Sequence, residues 1–371
     1  RISKMRCDSA FKEPKDAGLI LEKIAGLARI TGPVRLMEVC GTHTMSIART
    51  GLKSLLPPEI SLLSGPGCPV CVTPAGAMDA IFSLAADPRV LIASYGDLLR
   101  VPGSERGNSL FFQKARGTRV ESVYSPMDAL RLAAGHPELE VVFLGVGFET
   151  TAPGTAACIL EAASQKRKNF SVLSLLKRTE PALRALIEAE DFRVNGFLCP
   201  GHVAAVTGAR AFSFLPEDYG LPAVVGGFDA ADLLYSVAEL MRMLSCGVPE
   251  LKNEYVRAVR PEGNPAALGL MDRVFSPCDA DWRGLGAVSG GGLAIREEFA
   301  PWDAARKFGF SPGAGAEPPG CRCAQVIRGV TAPPDCPLFG SVCTPQDPVG
   351  PCMVSSEGAC AAAYRYRQVS P

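Results

Sequence analysis

Short apolar runs that recur along the chain constrain its fold more than any other feature. Each run ends in a turn rich in glycine or proline, and a helical pattern follows the turn. Fully apolar strands that alternate with helices are typical of parallel sheets covered on both faces. We therefore predict an α/β fold whose strands lie at residues 34–39, 60–63, 90–95, 120–124, 141–146, 172–176, 196–198 and 222–225.

Polar or sulfur-bearing turns follow six of these runs. In open α/β sheets, ligands bind at the carboxyl ends of the strands, near the topological switch. The turns therefore predict two α/β halves that face one another across a cleft. Such turns also connect ordinary strands, so a purely structural role stays open for them. The six turns begin at Cys40, Ser64, Gly96, Gly147, Cys199 and Gly226.

A chain of 371 residues is too long for one ordinary core. We predict α/β domains at residues 33–135 and 136–248. A third, loop-rich domain would combine residues 1–32 with 249–371. Its N-terminal part contains a predicted amphipathic helix at residues 11–30, where apolar side chains recur at helical spacing.

The segments expected to lack regular structure are found in the C-terminal third. Gly290-Gly-Gly has the composition of a loop. Residues 320–360 show little periodicity, so something other than a hydrophobic core must hold them, and a metal cluster does this in other proteins.

The balance of charge and apolarity excludes several function classes. Net charge is zero and aromatic residues are sparse, which argues against a nucleic-acid partner. No apolar stretch reaches the roughly 18–20 residues of a membrane span. The expected location is the cytoplasm, where thiols stay reduced. The fourteen cysteines are then candidates for metal ligation, redox exchange or simple burial.

Six of the cysteines follow residue 320. Soft thiolates at this density select zinc, copper(I) or an iron–sulfur cluster. A cubane [4Fe–4S] cluster needs four thiolates, and Cys321, Cys336, Cys343 and Cys360 supply that number. Zinc is less favoured because these six cysteines include no C-x₂₋₄-C pair. The remaining two, Cys323 and Cys352, are extra ligands, buried thiols or a redox pair, and which four cysteines bind the metal stays open.

Two further cysteine motifs follow predicted strands. Cys68 and Cys71 form a C-x-x-C turn, for which a dithiol redox role is favoured over packing. Cys40 and His43 are spaced to share one metal ion or to act as a nucleophile and its base. A buried cysteine beside a hydrogen-bonded histidine is the commoner case.

Other polar residues at strand ends are candidates for a small pocket. Glu149 and Thr150 supply a carboxylate and a hydroxyl, and His202 supplies an imidazole. Asp229 and Asp232 complete this set. Any of these residues is equally able to cap a helix.

Several longer motifs occur in order along the chain. They are Met37-Glu-Val-Cys-Gly-Thr-His43, Leu55-Leu-Pro-Pro, Ser64-Gly-Pro-Gly-Cys-Pro-Val-Cys-Val-Thr-Pro74, Gly147-Phe-Glu-Thr-Thr151, Pro200-Gly-His-Val203, Gly226-Gly-Phe-Asp229 and Cys352-Met-Val-Ser-Ser-Glu-Gly-Ala-Cys360. Together these motifs resemble one known family, the HypD family of [NiFe]-hydrogenase maturation factors. The resemblance extends from about residue 12 to residue 367, and one departure is Ala324, where glycine is expected.

The resemblance implies a scaffold for assembling an Fe(CN)₂CO group. In that family the partner is the small chaperone HypC, and cyanide comes from HypE. The finished group passes to the hydrogenase large subunit. Cys40 matches the essential iron ligand, which is shared with HypC, and His43 is the neighbouring histidine.

The resemblance also implies a cubane cluster and a thiol relay. The cluster ligands correspond to Cys321, Cys336, Cys343 and Cys360. The relay corresponds to Cys68 with Cys71 and to Cys323 with Cys352. Two alternatives remain, which are an iron–sulfur thiol–disulfide reductase and a passive, zinc-stabilised interaction module.

Overall fold

The computed structural model describes residues 17–313 and 315–366. They form two compact units, each with its own parallel sheet. The first unit contains residues 17–67 with Arg193–Gly263, and the second contains Cys68–Phe192 with the described residues from Asn264 onward. The predicted α/β class with parallel sheets is confirmed.

The strands are β1 (Val34–Glu38), β2 (Ile60–Ser64), β3 (Val90–Ser94), β4 (Val120–Ser122), β5 (Glu140–Gly147), β6 (Phe170–Leu176), β7 (Gly196–Pro200), β8 (Ala223–Gly226), β9 (Leu251–Asn253), β10 (Phe275–Trp282) and β11 (Gly286–Ile295). The α-helices are α1 (Ala17–Thr31), α2 (Gly41–Thr50), α3 (Leu52–Leu55), α4 (Ala75–Ala85), α5 (Leu110–Ala115), α6 (Pro126–Gly135), α7 (Ala152–Ser164), α8 (Thr179–Ile187), α9 (Gly201–Thr207), α10 (Phe214–Tyr219), α11 (Ala230–Cys246), α12 (Pro265–Val274), α13 (Ala304–Phe308), α14 (Cys323–Ile327), α15 (Pro351–Val354) and α16 (Ala359–Arg365).

The two sheets combine strands from distant parts of the chain. The first unit has the order β2-β1-β7-β8-β9 and the second has β4-β3-β5-β6, with all neighbours parallel. All eight predicted strands are present. Both sheets contain strands from residues 33–135 and from 136–248, so neither sheet belongs to one predicted range. The division into three domains stays a prediction.

Helix α1 confirms the predicted N-terminal helix, although residues 11–16 lie outside the described part of the chain. Its buried side chains, Ile20, Ile24 and Ala28, share a core with β1 and α11 in the first unit. The apolar stripe of α1 is thus buried against α11. The predicted grouping of residues 1–32 with 249–371 stays a prediction.

The loop predicted at Gly290-Gly-Gly is wrong, because these residues lie within β11 of an antiparallel hairpin. A Cβ at Gly291 would lie 2.9 Å from Trp282 Nε1, and one at Gly292 would lie 2.8 Å from the Ala280 Cβ. These two glycines therefore permit close packing across the hairpin. Composition alone does not distinguish such glycines from those of a loop.

Short helices and turns make up most of residues 320–366. None of the helices in the described residues is long and apolar enough to cross a membrane.

Candidate functional site

Cys40 lies between the end of β1 and the start of α2. Its backbone is extended (φ −148°, ψ 123°), its side chain is buried, and its N–H donates to Glu38 Oε2 at 3.1 Å. The chain at Gly67 passes so near that a Cβ there would lie 2.3 Å from the Cys40 backbone nitrogen. This close approach requires glycine and fixes the backbone from which the Cys40 thiol projects.

Glu38 is a residue of this site that the sequence analysis did not single out. Its carboxylate is buried and accepts a hydrogen bond from the Thr44 hydroxyl at 2.5 Å. Burial raises the pKa of Glu38 to about 7, although hydrogen bonds from Thr44, Ser64 and Cys40 act against this rise. The available signal was a charged residue at the end of an apolar strand, directly before the Cys40 motif.

His43 is fully buried in α2, and its Nε2 lies 3.0 Å from the carbonyl oxygen of Gly227. A carbonyl only accepts, so Nε2 carries the proton. Burial lowers the pKa of His43 to about 4, so the imidazole is neutral at pH 7. Its Nδ1 has no hydrogen-bond partner among the described residues. That nitrogen therefore presents a lone pair that is able to accept a proton or bind a metal ion.

Phe228 contacts both strand-end histidines. Its ring centroid lies 4.7 Å from that of His43 and 3.9 Å from that of His202. Tyr255 packs edge-on against the same ring at 5.8 Å. The structure thus brings His43 and His202 together around one aromatic side chain.

The two nearby aspartates have the structural role that was left open for them. Asp229 and Asp232 form a capping box at the start of α11. Asp232 also pairs with Arg257.

Glu149 and Thr150 belong to the second unit, whereas Cys40, His43 and His202 belong to the first. The carboxylate of Glu149 accepts from the Thr179 N–H at 2.8 Å and from its hydroxyl at 2.7 Å. Glu149 thus accepts one of the free N–H groups at the start of α8 from a distant position in the chain, which is a structural role. Thr150 is exposed.

The four cysteines of the predicted relay lie together in the second unit, and all are buried. The Cys71 N–H donates to Cys68 Sγ at 3.2 Å, and the Cys71 and Cys352 side chains are hydrogen-bonded. Cys323 Sγ lies 2.7 Å from Cys352 Sγ. A disulfide is about 2.05 Å long, so a shift of less than about 1 Å would join these two sulfurs. The four side chains therefore form a continuous series of thiols.

Arg283, another residue that the sequence analysis missed, lies in the turn of the β10–β11 hairpin. Its side chain is 1% exposed, its Nε donates to the Thr73 carbonyl at 3.0 Å, and its Nη1 pairs with Glu317. Burial alone would raise the pKa of Cys71, but hydrogen bonds from Cys352 and Cys68 and the charge of Arg283 lower it to about 5. The thiolate therefore belongs to Cys71.

The pKa of Cys68, the other cysteine of the C-x-x-C turn, is shifted in the opposite direction. Burial, followed by the hydrogen bond and charge of Cys71, raises the pKa of Cys68. Together the two pKa shifts favour an ionised Cys71 and a protonated Cys68 in the C-x-x-C turn. No local sequence pattern signals Arg283, because it is more than 200 residues from Cys71 along the chain and arrives only by folding.

A family model described as the hydrogenase formation hypA family, HypD, matches residues 16–367. The chain belongs to the HypD family. This confirms the resemblance that the motifs indicated.

Relatives agree with this assignment over nearly the whole chain. The hydrogenase expression/formation protein HupD of Azotobacter chroococcum mcd 1 is 44% identical over 368 residues, covering 98% of this chain and 97% of its own. The hydrogenase maturation factor HypD of Azotobacter vinelandii is 43% identical with the same coverage. HypD of Escherichia coli K12 is 43% identical over 337 residues, covering 91% of this chain and 90% of its own.

The cluster that the HypD family resemblance implies requires four neighbouring thiolates. Burial, followed by the nearby Cys323 and then by Cys336 and Cys343, raises the pKa of Cys321 to about 12. Burial raises the pKa of Cys343 too, and Cys360 and Cys336 add to the rise. Cys336 and Cys343 therefore lie near Cys321, and Cys336 and Cys360 lie near Cys343.

The surroundings of these thiols suit a bound thiolate. Cys343 Sγ accepts the Val349 N–H at 3.3 Å, and backbone N–H donors of this kind stabilise cluster sulfurs. Among the described residues, no group of three or more His, Cys, Asp or Glu side chains has the geometry for a single metal ion. The donor set fits a thiolate-bound cluster in residue type, and the cluster itself stays a prediction.

Proposed function

We propose that this protein is a hydrogenase maturation factor that acts as the scaffold for assembling an Fe(CN)₂CO group. Membership of the HypD family and the names of its relatives support the first part. The partners would be a HypC-type chaperone, which shares the iron, and HypE, which donates cyanide. The iron group is the cargo, and it passes on to the hydrogenase large subunit.

The observation that carries the proposal is that a buried Cys40 directly precedes α2, while a buried, neutral His43 lies in the first turn of the same helix. A thiolate is a soft donor suited to low-spin ferrous iron with strong-field ligands. Because Cys40 is held between a strand and a helix, its direction is set before iron arrives. His43 Nδ1 is available to the cargo as a proton acceptor or as a ligand.

The thiols of the second unit support a redox role. Cys321, Cys336, Cys343 and Cys360 would hold a [4Fe–4S] cluster, which supplies single electrons when bound. Cys352 is hydrogen-bonded to Cys360, to Cys323 and to Cys71, so it links the predicted ligands to the relay thiols. Cys68, Cys71, Cys323 and Cys352 would exchange a disulfide among themselves.

Anaerobic co-purification with HypC tests the scaffold, with infrared spectra and iron analysis of the complex. Cys40→Ala should lose the cyanide and carbonyl bands and keep the visible absorbance of the cluster. Losing one buried sulfur typically costs about 1–2 kcal/mol, not the whole fold. Cys199→Ala is the matched control, because Cys199 is also buried near a strand end of the first unit. Unchanged bands in Cys40→Ala would remove Cys40 from the iron site.

An iron–sulfur thiol–disulfide reductase is the second candidate, and the lowered pKa of Cys71 favours it specifically. A reductase turns over disulfide substrates without binding an additional iron. A scaffold binds iron that shows cyanide and carbonyl bands. A passive zinc module would be colourless, so the visible spectrum separates it from both.

A further inference from the structure

We propose that Arg283 is the positioning residue that makes Cys71, rather than Cys68, the attacking sulfur in disulfide exchange with Cys323 and Cys352. This inference rests on the redox part of the proposed function and deepens it. It assigns a direction of attack within the relay and names the side chain responsible.

Arg283 is anchored against the chain that directly follows Cys71. Its backbone N–H donates to the Val72 carbonyl at 2.8 Å, and its Nε donates to the Thr73 carbonyl at 3.0 Å. The side chain is 1% exposed, and Glu317 pairs with Nη1. A buried guanidinium with so many contacts holds a fixed orientation.

One donor of this anchored group is unused. Nη2 of Arg283 is buried and has no hydrogen-bond partner within the described residues. A buried donor left unsatisfied is unfavourable, so an anionic acceptor nearby is favoured. The Cys71 thiolate is such an anion, and the charge of Arg283 acts on it.

The groups that face Cys71 act in different directions. Arg283 favours its thiolate electrostatically, and hydrogen bonds from Cys352 and Cys68 do the same. Asp97 opposes the thiolate. Arg283 is the only cation among these four groups.

Cys68 has a separate route for its proton. The Ser355 hydroxyl forms a hydrogen bond with Cys68, and it lies 3.1 Å from Asp97 Oδ2. Asp97 is exposed, so this chain leads from the buried thiol to solvent. Cys68 can therefore remain protonated until the second step of the exchange and then lose its proton.

The exchange balances within the protein. The Cys71 thiolate attacks Cys352 Sγ of a Cys323–Cys352 disulfide, forming a Cys71–Cys352 bond while the electron pair leaves on Cys323. Cys68 then loses its proton through Ser355 and attacks Cys71 Sγ, which releases Cys352 as a thiolate. Cys68 and Cys71 lose two electrons in total, and Cys323 and Cys352 gain them.

The test uses the purified full-length protein, equilibrated with glutathione redox buffers between pH 6 and 9 under anaerobic conditions. Acid quenching, alkylation and peptide mass spectrometry report which pair is oxidised and how fast exchange occurs. Arg283→Met removes the charge, and Arg283→Lys retains it. Arg328→Met is the control for loss of an arginine from the second unit, since Arg328 is more exposed than Arg283 and pairs with Asp191.

When Cys352 is in a disulfide it donates no hydrogen bond, so the Cys71 thiolate is then favoured by Cys68 and by the charge of Arg283. In the wild type, the exchange rate should therefore depend only weakly on pH across this range. In Arg283→Met, the pKa of Cys71 rises, so the rate should fall about tenfold near pH 6 and recover as pH rises. Loss of thiolate stabilisation should also favour the Cys68–Cys71 disulfide about tenfold, or about 30 mV. Arg283→Lys should restore most of both effects.

The inference would be overturned if Arg283→Met exchanged disulfides at the wild-type rate and kept the wild-type midpoint potential of the Cys68–Cys71 pair. It would also be overturned if Arg328→Met slowed the exchange near pH 6 as much as Arg283→Met does. Neither result would affect the scaffold, which the Cys40 experiment tests independently.

A trapping experiment keeps the inference falsifiable if Arg283→Met does not fold. Cys68→Ser should accumulate a Cys71–Cys352 mixed disulfide because it lacks the resolving thiol. Cys71→Ser should not accumulate the corresponding Cys68–Cys352 bond. Equal yields of the two mixed disulfides would contradict the assignment of Cys71 as the attacking sulfur.

Discussion

His43 donates its Nε2–H to the carbonyl oxygen of Gly227 at 3.0 Å, across 184 residues of chain. This contact joins α2 to the end of β8 within the first unit. It determines the tautomer of the imidazole and leaves Nδ1 as the unprotonated nitrogen. The protonation of His43, at the start of α2, therefore depends on a backbone carbonyl at the end of β8.

Replacing His43 should weaken binding of the iron group less severely than replacing Cys40. We expect His43→Ala to lower the occupancy of the group about 10–100-fold, the usual loss for a residue that supports a ligand. The measurement is the infrared band intensity per protein in the HypC complex. His136→Ala is the control because His136 is exposed. A complete loss equal to that of Cys40→Ala would instead make His43 a direct ligand.

The neutral state of His43 makes the stability of the first unit depend on pH. Burial lowers its pKa to about 4 in the folded protein, against 6.5 in the unfolded chain. The unfolded state therefore binds the extra proton between these values, and the His43 contribution to stability falls as pH decreases from about 6.5 to about 4. The full loss is about 3 kcal/mol. The raised pKa of Glu38 acts in the opposite direction in the same unit, so the His43 contribution is the difference between the wild type and a variant without the imidazole.

His43→Gln should lack this component, since glutamine does not titrate. Both tryptophans, Trp282 and Trp302, lie in the second unit, so their fluorescence does not report on the first. Hydrogen exchange of the β1 and β8 amides in each protein provides the measurement. Parallel stability profiles of the two proteins from pH 6.5 to pH 4 would contradict the prediction.

Replacing a predicted cluster ligand should remove the cluster and loosen the chain around it. Cys343→Ala should lose the brown absorbance and make residues 320–360 sensitive to protease, because metal binding there is coupled to folding. Iron content and limited proteolysis measure the two effects. Cys246→Ala should change neither, because Cys246 is exposed and belongs to the first unit. A full cluster in a Cys321→Ala, Cys343→Ala double variant would refute the assignment.

Gly67 should tolerate no side chain. In Gly67→Ala the new Cβ would lie 2.3 Å from the Cys40 backbone nitrogen, so the backbone must shift. We expect a loss of at least about 2 kcal/mol in the free energy of unfolding, together with weaker iron-group binding.

The control for this substitution is Gly26→Ala in α1, where the nearest atom to a new Cβ is 4.0 Å away. Alanine in that helix should stabilise the protein by roughly 0.5–1 kcal/mol. Thermal unfolding compares the two variants. Equal stability of Gly67→Ala and the wild type would show that the backbone near Cys40 adjusts easily.

Much of the local structure was predictable from the sequence. Fully buried parallel strands need uninterrupted apolar side chains, so their positions are visible in runs such as residues 141–146. The β10–β11 hairpin was missed because its glycines permit close packing against Trp282 and Ala280, a reason that composition does not reveal. The motifs around Cys40 and Cys68 were also visible in the sequence, because each is a short continuous turn at the end of a strand.

The sequence by itself determined the strand positions, the thiol-rich segment and the family. Only the tertiary structure decided which strands pair, that Glu38 is buried beside Cys40, that Gly227 selects the His43 tautomer, and that Arg283 lies beside Cys71. The physical reason is the range of the interactions. Secondary structure follows from neighbours along the chain, whereas the ionisation of a buried group depends on charges and donors that folding brings from distant positions.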